Sequence, residues 1–258
     1  VEVLFVGTPE GIERDLVAQA GYDYRGIAVG SLERSVSWEA IRHNCKSAWE
    51  MLALRRKTGA ILKEFPADLV VGTGGYASYP MVKYAALRGI PTAVHEANMI
   101  PGLTTKMLEK HASRIMVGFE ECRALYKHPE RIAVTGTPVR GDFFDLTHEE
   151  AKAALGMGKD EPLVVSFWGS LGASTMNGQM LDFFKKEKED GYPFYHIHAV
   201  GGRGWETMQQ EMQKAGLPGS HKLDVRKYIY DMAVVMRAAD LVICRAGAST
   251  ISEITALA

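Results

Sequence analysis

Apolar residues along this chain gather in short blocks, and helix-patterned polar stretches separate them. The blocks Val1–Val6, Tyr24–Val29, Asp68–Gly72, Pro91–His95, Arg114–Gly118, Arg131–Thr135, Pro162–Trp168, Tyr195–Val200, a short run at Leu223 and Leu241–Ile243 each predict a buried strand. Near-continuous apolar runs of strand length are what a sheet covered on both faces requires. Between them the spacing predicts helices over Ile12–Ala20, Trp38–Phe65, Met81–Arg88, Leu103–His111, Thr147–Leu155, Asn177–Lys188, Trp205–Ala215 and Met232–Ala238, with Gly21 and Gly89 closing two of them. In the long stretch, Trp38, Ile41, Cys45, Trp49 and Leu52 fall at three- and four-residue steps, and Arg42, Lys46, Arg55, Arg56, Lys57 and Lys63 carry its charge. That pattern fits a core-facing helix with a basic solvated side or a surface helix lying on an anionic membrane. Strand–helix alternation predicts a parallel, doubly wound α/β sheet. The alternation pauses at the charged stretch Thr147–Leu155 and the turn Gly156–Asp160, then restarts. Two such domains are expected, residues 1–142 and 143–258.

Ordinary composition narrows the function classes. Apolar residues make up 47% and charged residues 24%, and the formal net charge of −1 gives no electrostatic reason to expect nucleic acid. Cys45, Cys122 and Cys244 are far apart and lack metal-ligand spacing, so they predict reduced thiols. No metal or cofactor is expected. No apolar run approaches the roughly 20 residues that span a bilayer. Val1 opens inside an expected strand and Ala258 closes inside an expected helix, so the chain reads as a piece of a longer protein.

Open parallel sheets bind ligands beyond the carboxyl ends of their strands. Four such loops stand out. Gly72-Thr73-Gly74-Gly75-Tyr76 has glycines that let a ligand approach backbone, although a packing turn explains them equally well. His95-Glu96-Ala97-Asn98 sets three polar groups at the end of an apolar run. Trp168-Gly169-Ser170-Leu171-Gly172 is a strand-to-helix turn whose hydroxyl and following N–H groups suit a phosphate; without a Lys-Ser/Thr pair it is not a Walker loop. The fourth follows Leu241–Ile243: a small-residue turn at Arg245–Ala248, then Ser249, Thr250 and Glu253, where Thr250-x-x-Glu253 has capping-box spacing. Glu253 there either caps a helix or binds ligand hydroxyls. Arg140, after Thr137-Pro138-Val139, adds a permanent cation suited to a diphosphate or to a surface ion pair.

Taken together and in order, Val70-Val-Gly-Thr-Gly-Gly-Tyr-Ala-Ser78, His95-Glu-Ala-Asn-Met-Ile-Pro-Gly-Leu-Thr104, Gly136-Thr-Pro-Val-Arg140, Gly169-Ser-Leu-Gly-Ala173, Tyr228-Ile-Tyr-Asp-Met232 and Cys244-Arg-Ala-Gly-Ala-Ser-Thr-Ile-Ser-Glu253 resemble the MurG family of bacterial N-acetylglucosaminyltransferases. The resemblance covers essentially the whole chain. It implies two Rossmann-like domains facing a cleft, the GT-B arrangement, incomplete at both termini. It also implies an inverting transfer of GlcNAc from UDP-GlcNAc to the C4 hydroxyl of the MurNAc of lipid I, forming lipid II. The enzyme would sit peripherally on the cytoplasmic face of the membrane, with the acceptor on the N-terminal domain. Residue by residue, Asn98, Arg140 and Ser170 match donor contacts, and Ile229 matches the position whose backbone reads uracil. Ala248, Ser249, Thr250, Ile251, Ser252 and Glu253 match the donor loop, with Glu253 on the ribose. Gly72–Tyr76 and Glu96 match regions that meet the acceptor and its diphosphate. Glu96 and His95 are the candidate general bases, unless a histidine loop expected before Val1 supplies one. Trp168 departs from the pattern, standing where a glycine is common. The alternatives are another UDP-sugar enzyme of this fold, such as a UDP-GlcNAc epimerase, or a UDP-sugar-binding fragment without turnover.

Overall fold

Every strand pairing among the described residues is parallel. The computed structural model describes residues 1–28, 54–217 and 220–258, and these form two compact units, Val1–Thr137 and Pro138–Ala258. The expected domain border at 142/143 falls later, inside a 3-10 turn at Gly141–Phe144 that carries the fully buried Phe143 into the core of the second unit.

In unit 1, β1 (Leu4–Gly7) and β2 (Asp23–Gly26) pair across helix α1 (Ile12–Gln19). Residues 54–64 are helical, here α2. The Trp38, Ile41, Cys45, Trp49 and Leu52 face of the expected long helix lies outside the described residues. The strands β3 (Val70–Gly72), β4 (Thr92–Glu96), β5 (Arg114–Val117) and β6 (Ile132–Val134) follow in that spatial order. Helices α3 (Gly75–Leu87) and α4 (Leu103–Leu108) connect them, over a core that includes Val82, Val94, Leu108, Ile115 and Val117. Helix α3 begins at Gly75, six positions before the expected Met81, so Gly75 and Tyr76 are its first turn rather than a loop. Gly74 and Gly75 at φ 92° and 74° make that abrupt entry possible.

In unit 2, α5 (His148–Ala154) starts with a complete capping box, Thr147 and Glu150 bonding each other's backbone N–H. The sheet runs β10 (Leu241–Cys244), β7 (Leu163–Phe167), β8 (Tyr195–Ala199), β9 (Leu223–Arg226). Helices α6 (Ser174–Glu189), α7 (Trp205–Lys214), α8 (Met232–Ala238) and α9 (Ala248–Leu257) cover it. Buried Asn177, Met180, Phe184 and Glu187 recur at helical steps and turn one face of α6 inward. The chain lays β8 and β9 on one side of β7 and β10 on the other, which creates a topological switch point between β7 and β10. Lys152, 2% exposed, ties the base of the unit together by donating to Asp240 at 2.8 Å and to the carbonyls of Lys159 and Glu161.

Helix α9 corrects one expectation. Its N-cap is Gly247, with no side-chain cap. Thr250 is therefore its third residue and Glu253 its sixth, so this pair is not a capping box. The Thr-x-x-Glu spacing was real but sat one turn too deep.

Candidate functional site

Unit 2 holds a cleft of about 430 Å³ lined by Phe167, Trp168, Gly169, Arg245, Ala246, Gly247 and Thr250. It lies where β7 and β10 end side by side, in register with Phe167 opposite Cys244. That is the switch point, where the two chain ends diverge and leave a crevice. Two backbone features build its walls. Gly169 and Gly172 at φ 83° and 76° close the turn after β7, with Gly172 N–H donating to Gly169 O at 3.1 Å. The turn then docks on the loop after β8, where Gly202 N–H donates to Ser170 O at 3.0 Å and Arg203 N–H to Leu171 O at 3.3 Å. The approach is close enough that a Cβ on Gly201 would lie 2.3 Å from Gly172 N. On the other side, Gly247 N–H donates to Arg245 O at 2.7 Å, and α9 starts at once with uncapped N–H groups. Such N–H groups, the positive end of the helix dipole and the exposed Arg245 guanidinium suit an anion. Arg245 has no ion pair among the described residues.

The expected donor residues distribute unevenly around this cleft. Thr250 lines it, and Ser170 is exposed in the adjoining turn with its hydroxyl unbonded among the described residues. Ala248, Ser249 and Ile251 stand in the first turn of α9, while Ser252 spends its hydroxyl on Ala248 O at 3.0 Å. Glu253 makes no hydrogen bond or ion pair among the described residues; burial pushes its carboxyl up, and Arg140 draws it partly back. Arg140 is exposed, paired to Asp142 at 3.1 Å and stacked over Phe143 at 5.6 Å. The Ile229 side chain is packed in the core. Arg245, Phe167 and the Gly201–Arg203 loop were not singled out from the sequence. The glycine pair at Gly201-Gly202 after a strand was the available signal for the last.

In unit 1 the expected acceptor residues surround the ends of β3 and β4. Gly72 is buried, and a Cβ there would meet Val82 Cγ2 at 2.8 Å. Thr73 and Tyr76 are exposed. Glu96, only 5% exposed, receives four hydrogen bonds: Asn98 N–H at 3.1 Å, Asn98 Nδ2 at 2.9 Å, Gly102 N–H at 2.8 Å and Thr105 hydroxyl at 2.8 Å. Burial alone would raise its carboxyl, but these donors outweigh burial and hold it below the ordinary range. A carboxylate so engaged is a bracket for the Asn98–Thr105 loop and a poor proton acceptor. His95 Nε2 lies 3.1 Å from Gly136 O, and a carbonyl only accepts, so Nε2 carries the hydrogen. Its Nδ1 has no partner among the described residues. Also among them, no group of three His, Cys, Asp or Glu side chains is placed to hold a metal ion, and no helix is long and apolar enough to cross a membrane.

Comparison with known proteins fits this arrangement unit by unit. The glycosyltransferase family 28 N-terminal domain matches residues 1–117, and the family 28 C-terminal domain matches residues 163–258. A curated relative from Acetivibrio thermocellus, UDP-N-acetylglucosamine–N-acetylmuramyl-(pentapeptide) pyrophosphoryl-undecaprenol N-acetylglucosamine transferase, is 40% identical over 256 residues, covering 99% of this chain and 67% of the relative. Among solved structures, Acinetobacter baumannii MurG superposes with a TM-score of 0.63 at 23% identity, over 99% of this chain and 68% of that one. A putative UDP-N-acetylglucosamine 2-epimerase from Listeria monocytogenes gives 0.64 at 13% identity, over 96% of this chain and 66% of that one. These two share the fold, two Rossmann-like units of the GT-B class. This chain spans about two thirds of the length of its curated relative, and it belongs to the MurG family of N-acetylglucosamine transferases.

Proposed function

We propose that the chain is the catalytic body of an inverting N-acetylglucosaminyltransferase that moves GlcNAc from UDP-GlcNAc to the C4 hydroxyl of the MurNAc of lipid I, giving lipid II. The observation that carries this reading is the cleft at the β7/β10 switch point, walled by a glycine turn, free helix N–H groups and Arg245. It matches what a nucleoside diphosphate needs. In this reading the diphosphate meets the α9 N-terminus, Ser170 and Arg245, with Arg140 as a further cation. Glu253, without a hydrogen bond or ion pair among the described residues, takes the ribose hydroxyls, and the Ile229 backbone meets uracil.

Displacement proceeds in line at the anomeric carbon through an oxocarbenium-like state, and negative charge gathers on the departing UDP. Preorganised N–H groups and guanidinium favour that charge more than they favour the bound donor, which is how they accelerate the step. Of the two candidate bases in this chain, Glu96 is committed to its loop, so His95 through Nδ1 is the one we assign to the acceptor proton. The lipid-linked character of the acceptor is supported by Met99, Ile100, Leu103 and Met107, all exposed around the Asn98 loop. That apolar edge, with Gly72–Tyr76 beside it, is where we place the acceptor and the cytoplasmic membrane face. Nucleic acid has no part in the reading.

Calorimetry with UDP and UDP-GlcNAc tests the donor site directly, and saturable binding is expected for both. No binding of either would remove the nucleotide assignment. The shared fold with a 2-epimerase favours one second reading, a UDP-sugar enzyme with no lipid acceptor. Transfer of labelled GlcNAc onto a lipid-linked muramyl acceptor, against UDP release without it, separates the two.

A further inference from the structure

Beneath the cleft, four polar side chains are buried in one row. Glu187 of α6 lies 2.6 Å from His196 Nδ1 on β8. His196 Nε2 lies 2.7 Å from Ser166 Oγ on β7, and Ser166 Oγ lies 2.6 Å from His198 Nδ1 on β8. Ser166, His196 and His198 are fully buried, and Glu187 is 4% exposed. The row cannot be a hydrolytic triad, because no substrate reaches a hydroxyl with no exposed surface. Its far end is the informative one. His198 packs edge-on against Trp168, ring centroids 5.9 Å apart, and Trp168 lines the cleft. His198 Nε2 and Trp168 Nε1 are both buried, and neither has a hydrogen-bond partner among the described residues.

Hydrogen counting gives the row a direction. A carboxylate only accepts, so His196 Nδ1 carries a hydrogen. With neutral imidazoles, His196 Nε2 is then bare and takes the Ser166 O–H. The Ser166 oxygen in turn accepts from His198 Nδ1–H, and His198 Nε2 is left bare. The bare Nε2 belongs to the ring that packs edge-on against the Trp168 indole.

We propose that Glu187, His196, Ser166 and His198 are positioning residues for the cleft: the carboxylate fixes every hydrogen along the row and so holds the His198 ring edge-on against the buried indole of Trp168, a residue of the cleft lining. The groups that face the two imidazoles agree with this. Phe184 of α6 meets both rings edge-on at 5.2 and 5.4 Å, and Phe183 and Phe194 flank His196. Glu187 is thus the charged partner of the row among the described residues. The proposal rests on the cleft being the UDP site.

The test uses the 258-residue chain and nitrogen-15 spectra of its histidine and indole groups, with UDP calorimetry alongside. In the unaltered protein His198 is expected to carry its hydrogen on Nδ1; the opposite tautomer overturns the proposal. Glu187→Leu removes the acceptor while filling similar space, so the row reverses: His198 becomes the Nε2–H tautomer, the Trp168 indole resonance moves, and UDP binds about tenfold more weakly. Glu187→Gln keeps an acceptor oxygen and should keep the original tautomer and affinity. An unchanged Trp168 resonance or unchanged UDP affinity in Glu187→Leu sinks the positioning role. Should that variant not fold, Ser166→Ala cuts the row at its middle and is read the same way. If the unaltered chain fails to bind UDP, the donor-site reading falls, while the tautomer and indole signals still decide whether the row operates.

Discussion

Glu96 and Arg245 show how a single side chain's bonding state separates a structural role from a chemical one. Four donors converge on Glu96, whereas Arg245 lines a cleft with no ion pair among the described residues. Glu96→Ala should therefore cost about 3 kcal/mol or more in urea unfolding, because buried donors lose a charged partner. Its lowered carboxyl adds a sign: the stability it contributes is present above the ordinary glutamate range and fades as pH falls through its depressed native value. Arg245→Ala should leave the melting temperature in place and weaken UDP binding by roughly 1.5–3 kcal/mol, the worth of a charge-assisted bond. Equal UDP affinity in that variant would take Arg245 out of the site. His198 gives a third case. Burial, reinforced by His196, drives its imidazole down to about 3. The unfolded chain takes up a proton near pH 6.5 that the folded chain refuses, so stability is full above 6.5 and declines as pH drops toward 3. By pH 5 the total loss attributable to this group is about 2 kcal/mol, and urea titrations of His198→Gln should show that portion of the slope missing.

Elements show where a one-dimensional pattern carries enough information. The strands were legible because a parallel strand covered on both faces must be an apolar run, as Leu163–Phe167 is, buried at every position. The start of α3 was not. Gly74-Gly75 followed by Pro80 reads as loop, yet the positive φ of both glycines turns the chain directly into a helix that encloses the proline. The true capping box at Thr147/Glu150 and the false one at Thr250/Glu253 share one spacing, and only the register of the helix start tells them apart. The buried row escaped notice for a similar reason. His196 and His198 alternate onto one face of β8, but Ser166 joins them only through the β7/β8 register, which places it opposite His198. Two substitutions test these local assignments. Thr147→Ala should cost about 1 kcal/mol, the usual loss of a cap, with UDP binding intact. Gly201→Ala should cost about 1–3 kcal/mol from its φ of 84° alone, and more because its Cβ meets backbone. Since that backbone belongs to the Gly169–Gly172 turn, UDP affinity should fall with it.

Across the whole molecule, the polar groups divide by unit as the cores do. Unit 1 has its own core around Val94 and Ile115, and unit 2 has cores on both faces of its sheet. The groups proposed for the nucleotide, Ser170, Arg245, Thr250 and Glu253, all lie in unit 2, and the His95–Asn98 loop with its apolar edge lies in unit 1. Sequence spacing alone reached glycine turns at strand ends in both halves. The ordered set of motifs suggests a donor and an acceptor for them, and the fold shows which side chains are already bonded. A ligand that binds one unit stabilises that unit by mass action, about 2.7 kcal/mol at a hundredfold excess over Kd. UDP should accordingly slow amide exchange in β7, β8, β10 and the first turn of α9, while β3–β6 exchange at their unliganded rate. Protection that rises equally in both units would mean the nucleotide's anchoring contacts are not confined to the switch-point cleft. Protection confined to β4 and the Asn98 loop would place UDP on the unit assigned here to the acceptor. The pattern expected instead follows from the strand order: a diphosphate held by the N–H groups where β7 and β10 part would leave those strands to bear the gain.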